Sequence, residues 1–215
     1  IDISKVIYVS KWAQWHAGKV GNPSKGVSYP DHHVVRNPIE APYSTENLRE
    51  EFNIPEDAFV FGRIGRDDES IYDPINIQAY AQVENEHTFF VLVNPSSRCR
   101  ADLRGLNIKN ARFMERTTSE VRLSKFYNTI DVLAHSRKDG EINPANVWEA
   151  FAHGKPVVSH YAHPFNGHIE VIRECGFVVL KGDVGEYARI MNKFIKKEID
   201  YFKLSEKCIN NWQQT

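Results

Sequence analysis

Ser136–Val158, SRKDGEINPANVWEAFAHGKPVV, is the stretch from which the fold is read. Asn143-Pro144 predicts a helix start: an Asn side chain caps free amides, and Pro suits the first helical position, where its missing N–H is not needed. Gly154 falls where a helix would end, and Lys155-Pro156-Val157-Val158-Ser159 follows as a strand. Between them Ala145, Val147, Trp148, Ala150, Phe151 and Ala152 are apolar, while Asn146, Glu149 and His153 share one stripe at spacings of three and four. A helix apolar on most sides is a buried one. One polar stripe carrying a carboxylate, with Glu141 just ahead of the helix, marks a ligand cleft. The free amides at the helix start favour an anion such as phosphate there.

Outward from this helix the chain alternates strand and helix. Strands are expected at Phe59–Ile64, Thr88–Val93, Ala111–Met114, Asp131–Ala134, Pro156–Ser159 and Gly176–Leu180. Helices are expected at Pro74–Val83, Ser97–Leu106, Ser119–Asn128 (with Val121, Leu123 and Phe126 inward), Asn166–Arg173, Val184–Ile195 and Ile199–Trp212. This pattern specifies an α/β fold: a Rossmann-like parallel sheet with helices on both faces, binding its ligand at the carboxyl ends of the strands. Upstream, Lys5–Val9 reads as a strand, and Ser10 caps a helix through Trp12 and Trp15. Gly18–Pro30 is loop or linker, His33–Arg36 a short strand, and Ser44 or Thr45 opens a helix through Phe52.

A formal net charge of −1 argues against nucleic acid as the main partner, since nothing in the composition supplies a broad phosphate-neutralising surface. Lys196–Glu198 and Arg49–Glu51 read as solvated faces. Cys99, Cys175 and Cys208 are odd in number and unrelated in spacing, which points to reduced thiols in a cytoplasmic protein. No apolar run approaches the about 20 residues that span a bilayer. The chain opens on a strand-like run rather than a signal peptide, as though cut from a longer protein.

Three stretches follow strands and line one sheet edge: Gly62-Arg63-Ile64-Gly65-Arg66, Asn94–Arg98, and the segment with Glu141, Asn143 and Glu149. An arginine facing spare helix-start amides suits a diphosphate. A cleft-facing carboxylate suits the vicinal hydroxyls of a ribose.

Glu141 and Glu149 also stand at the E-x7-E spacing of retaining GT-B glycosyltransferases, and EAFAHGKPVVS resembles that family's segment. Gly65-Arg66 resembles its GR phosphate motif, FYNTIDVLAHS its strand-entering stretch, and VVRNPIE its passage into the donor domain. From about residue 5 to 197 the chain is similar to the C-terminal, nucleotide-sugar-binding domain of a family 4 (group 1) glycosyltransferase. The resemblance implies residues 1–36 as the end of an acceptor domain plus linker, 37–197 as the donor domain and 198–215 as a C-terminal helix. It implies a nucleotide-sugar donor, a glycan or lipid acceptor, a missing N-terminal acceptor domain, and retention without metal or other cofactor. The full-length protein would be cytoplasmic or peripheral at a membrane. Residue by residue, it implies that Arg66 holds the donor diphosphate, Glu141 lies by the sugar and leaving phosphate, and Glu149 holds the ribose. The backbone of Ile142, Asn143, Pro144 and Ala145 would meet sugar and phosphate, and Glu115, Arg116 and Thr117 the base.

Two departures stand out. Where the family carries a lysine five or six residues after the GR arginine, this chain has Ile71 and Tyr72, beyond the acidic run Asp67-Asp68-Glu69. Lys138, Arg137, Arg98 and Arg63 are the candidate substitutes. Ile142-Asn143-Pro144 replaces the glycines after the first Glu, and Asp139-Gly140 offers a second register, although Glu141 keeps the spacing without a gap. Plainer readings are an ion pair of Arg66 with Asp67, Asp68 or Asp73, and core or interdomain packing for Trp12 and Trp15. His160, His163, His168 and Glu170 read as a polar loop over the cleft, their spacing matching no zinc pattern. A non-catalytic nucleotide-sugar-binding or scaffolding module is the alternative function, and a sugar epimerase a third.

Overall fold

A computed structural model describes residues 8–20, 34–35, 39–40 and 42–214, the side chains of 17–20 excepted. Among these, six strands form one parallel sheet: β1 (Phe59–Ile64), β2 (Thr88–Val93), β3 (Ala111–Met114), β4 (Val132–Ala134), β5 (Val157–His160) and β6 (Gly176–Val179). Their order is β3-β2-β1-β4-β5-β6. The helices are α1 (Lys11–Val20), α2 (Ile75–Tyr80), α3 (Ser97–Gly105), α4 (Glu120–Thr129), α5 (Ala145–Ala152), α6 (Gly167–Ile172), α7 (Val184–Ile195) and α8 (Tyr201–Gln213).

Neighbouring residues of a strand face opposite sides, so Val60 and Phe61 enter different cores. Val60 joins Phe126, Val147, Trp148, Phe151 and Cys208 under α4, α5 and α8. Phe61 joins Ile75, Leu103, Tyr187 and Met191 under α2, α3 and α7. The run TFFVLV of β2 is buried at every position, as a strand covered on both faces requires. All three cysteines are free and buried. No helix among the described residues is long and apolar enough to cross a membrane.

The order reverses between β1 and β4, which opens a crevice at their carboxyl ends. Behind it α8 packs on α5 and Trp212 donates its indole N–H to the carbonyl of Ile39 (3.0 Å), which ties down the chain entering the domain.

Several local readings are corrected. Helix α5 begins at Ala145, with Pro144 (φ −84°, ψ 87°) as a non-helical cap, and Asn143 makes no side-chain cap bond. Ser44–Phe52 forms turns rather than a helix. There the Asn47 side chain accepts the Arg49 amide (2.9 Å) and Leu48 N–H goes to Thr129 Oγ1 (2.7 Å), so the backbone is satisfied elsewhere. Val121 is exposed, whereas Phe126 is buried as expected and Leu123 packs partly buried against the core, with Ser124 and Tyr127 also turned inward. Arg49 is buried rather than solvated: it pairs with Asp131 (3.3 Å) and donates to the carbonyls of Pro55 and Ala58. Ser10 does cap α1, accepting the Ala13 amide at 3.1 Å. The expected strand at Lys5–Val9 lies mostly outside the described residues, as do most of Gly18–Pro30 and half of His33–Arg36; Tyr8 and Val34 form a single parallel bridge.

Candidate functional site

The crevice contains two adjoining cavities, of about 490 and about 690 Å³, that share Ile64, Gly65, Arg66 and Glu149. Arg137, Gly140, Glu141, Ile142, Asn143, Ala145, Asn146 and Phe165 complete the first. Asp67, Val93, Asn94, Arg116, Thr117 and Leu123 complete the second. Both are within the size range of small-molecule sites. Val147 and Trp148 amides reach the Pro144 carbonyl (3.1 and 3.2 Å). The amides of Ala145 and Asn146 have no acceptor among the described residues, so they form the anion-ready end of α5.

Glu141 leaves β4 in a loop held by histidines. His135 Nε2 and Arg137 Nη1 each stand 3.7 Å from Glu141 Oε1. Burial opposes its ionisation, but His135, Arg137 and His168 outweigh burial and bring the carboxyl below its usual range. His168 accepts the Glu141 amide at Nδ1 (3.3 Å) and donates from Nε2 to the His160 carbonyl (3.1 Å). Burial, reinforced by His135, pulls His168 down to about 4, so it holds the loop as a neutral ring near pH 7. The expected polar loop over the cleft is thus corrected: His160 and His168 are buried behind Glu141, where β5 and α6 face the core. Glu170 accepts the Lys11 and Trp12 amides at the start of α1 (3.0 Å each). Among the described residues no group of His, Cys, Asp and Glu could hold a metal ion.

Two glycines allow this loop its close packing. Gly140 has φ +71°, and a Cβ there would lie 1.7 Å from the Phe165 carbonyl oxygen. A Cβ at Gly167 would lie 2.1 Å from the Ile142 carbonyl oxygen. Gly167→Ala is therefore expected to destabilise the fold by about 3 kcal/mol, the upper range for an overpacked site. Thermal unfolding measures this, and an unchanged Tm would contradict the packing.

Glu149 is half-buried on the first turns of α5. Tyr127 donates its phenol O–H to Glu149 Oε2 at 2.6 Å, and His153 Nδ1 lies 2.7 Å from the Glu149 carbonyl. Burial raises the Glu149 pKa, and the Tyr127 bond pulls against it.

Arg66 is exposed, lines both cavities and makes no ion pair among the described residues. Of the acidic run after it, only Asp67 lines a cavity; Asp68 is turned onto Ser70 (2.7 and 2.9 Å). Tyr72 is buried with its hydroxyl on Asp102 (3.0 Å), so position 72 presents no cation. Lys138 is exposed and outside the cavity walls, its amide bound to Ile71 O (2.9 Å). Its neighbour Arg137 lines the first cavity, braced by Asp139 (Nε–Oδ1 2.7 Å, Nη2–Oδ2 3.0 Å). Arg63 is buried with Nε and Nη1 unpartnered among the described residues, close beneath Gly65. Ile142, Asn143 and Ala145 line the first cavity and Arg116 the second, whereas Pro144 is buried as the helix cap. His135, Asn146 and Tyr127 were not among the expected site residues. Only Asn146, on the polar stripe of α5, had a local signal.

The family model of the group 1 glycosyl transferases matches residues 44–215. The chain belongs to this family. No curated protein matches its sequence. Among solved structures, this group 1 chain is similar to Anabaena HepE in complex with UDP-glucose (TM-score 0.78, 21% identity, covering 98% of this chain and 59% of that one). It is likewise similar to a glycosyltransferase from Rickettsia africae (TM-score 0.78, 15% identity, 98% and 58%). A third similar structure is WaaG, a glycosyltransferase involved in lipopolysaccharide biosynthesis (TM-score 0.75, 16% identity, 98% and 59%). The group 1 chain thus spans less than two thirds of the length of these proteins, and at such identities the likeness is one of fold: a Rossmann-like sheet of the GT-B kind.

Proposed function

We propose that this chain binds a nucleoside diphosphate sugar and forms the donor half of a retaining glycosyltransferase, with a glycan or lipid as acceptor. One observation carries the reading. Glu141, Glu149, Arg66 and the free amides of Ala145 and Asn146 meet around one crevice at the sheet reversal. Family membership and the UDP-glucose held by HepE support it. In this assignment Glu149 takes the ribose hydroxyls, Arg66 the diphosphate, and Glu141 the region of the sugar and departing phosphate. The backbone of residues 142–145 borders sugar and phosphate, and Arg116 and Thr117 border the base.

The chemistry assigned to these groups is electrostatic. As the bond from the anomeric carbon to the phosphate oxygen breaks, its electron pair leaves with the diphosphate. Arg66, Arg137 and the helix-end amides stabilise that charge while the carbon becomes oxocarbenium-like. The acceptor hydroxyl then bonds through its oxygen to the same face and passes its proton to the departing diphosphate oxygen, and the scheme uses no metal.

Calorimetry of the chain with UDP-, GDP- and ADP-sugars tests this. Binding of at least one is expected, and no binding by an intact fold would refute it. Tyr72, buried where a second cation is expected, favours a second reading as a binding module without catalysis; transfer by the full-length protein separates the two. Arg137→Ala is expected to weaken a nucleoside diphosphate about tenfold and the bare nucleoside hardly at all, because Asp139 already offsets part of its charge. Equal affinities for wild type and variant would remove Arg137 from the diphosphate site.

A further inference from the structure

We infer that Tyr127 is a positioning residue for nucleotide binding: its buried phenol grips one oxygen of Glu149 and fixes that carboxylate as an acceptor on the crevice wall. The inference rests on the ribose role proposed for Glu149. Tyr127 is 1% exposed, wedged between Phe126 (5.0 Å between ring centroids) and the stacked ring of His153 (5.1 Å). Its O–H reaches Glu149 Oε2 at 2.6 Å, with the Asn146 carbonyl a longer second acceptor at 3.3 Å. No other side chain among the described residues donates to the Glu149 carboxylate.

The charges around Glu149 make this bond decisive. Arg66, Arg116 and Arg137 line its two crevice cavities but none stands within ion-pair distance, while Glu141 lines the first of them and Glu40 and Glu120 line a third cavity that Glu149 also borders. His153 is held toward its neutral form by burial, and contributes a ring nitrogen to the Glu149 backbone carbonyl rather than a charge to its carboxylate. Burial and Glu141 both favour the protonated carboxyl, and Tyr127 opposes them. A protonated Glu149 loses acceptor capacity toward ribose hydroxyls. The phenol itself stays protonated, because burial, with Glu149 and Glu141 nearby, pushes its pKa far up. It is therefore a permanent donor.

Two measurements on Tyr127→Phe decide the matter. In a carboxylate carbon-13 NMR titration without ligand, Glu149 is expected to titrate at higher pH in the variant than in wild type. UDP or GDP affinity is expected to fall about tenfold on the acid side of the variant's Glu149 titration and less than about twofold on its alkaline side, because ionisation restores the acceptor there. An unmoved Glu149 titration, or the same loss of affinity at every pH, would overturn the inference. Wild type that binds no nucleotide would instead refute the ribose role, while the titration still decides whether Tyr127 holds Glu149. Should Tyr127→Phe fail to fold, 3-fluorotyrosine placed at position 127 keeps the shape with a more acidic phenol. It is expected to move Glu149 to lower pH, and an unchanged value would overturn the proposal.

Discussion

Glu149→Gln is expected to weaken nucleotide binding about 30- to 100-fold while leaving the fold as stable as wild type or more so. The affinity loss follows from exchanging an ionised acceptor for a neutral amide at the ribose hydroxyls, worth about 2–3 kcal/mol. The stability result follows from the sign of its pKa shift. Burial first, with Glu141 adding to it, raises the Glu149 pKa above its ordinary value, so the folded chain holds that proton more tightly than the unfolded chain. The ionised side chain therefore costs stability as pH rises through its folded pKa, with the full cost present above that pKa. Gln carries no such cost and still offers an oxygen to Tyr127. Glu141→Gln is expected to behave differently: its pKa lies below the usual range, so removing its charge loses a favourable contact with His135 and Arg137. Its binding defect should fall on the sugar rather than the nucleoside. Chemical denaturation paired with calorimetry checks both variants, and equal, negligible binding effects would refute the division of roles.

Arg66→Ala is expected to reduce affinity for a nucleoside diphosphate by about 2–3 kcal/mol, the value of a charge-assisted hydrogen-bonded contact. Its guanidinium is exposed, lines both cavities and carries no ion pair among the described residues, so it is free to close on a ligand. For the same reason its removal leaves nothing buried and uncompensated, and stability should change by less than about 0.5 kcal/mol. The loss should shrink toward zero for the unphosphorylated nucleoside and at high salt, where exposed charges are screened. Isothermal titration across a salt series provides the check. A defect of equal size for nucleoside and diphosphate would place Arg66 elsewhere.

The sheet was legible because its strands are short apolar runs: TFFVLV can only be a strand buried on both faces, and it is. The E-x7-E spacing and the polar stripe of α5 likewise place Glu141 and Glu149 on one crevice wall, because Gly154 and the following strand fix the direction of the helix. Partners from distant segments were not legible. Arg49 looks like a surface charge until Asp131, 82 residues away, is brought beside it. Tyr127 looks like one more core aromatic until its hydroxyl meets Glu149 across two helices. Lys138 and Arg137 are neighbours with the same charge, and the choice between them depends on loop pinning. The Lys138 amide on Ile71 and the Asp139 brace on Arg137 turn the arginine inward.

Backbone amide NMR of the chain during titration with UDP, GDP and their sugars tests the central claim most directly. The largest shifts are expected at Gly65, Arg66, Ala145, Asn146 and Glu149, with Arg116 and Thr117 following the base. Saturable shifts centred away from the ends of β1 and β4, or none with any nucleotide in a folded sample, would contradict the account.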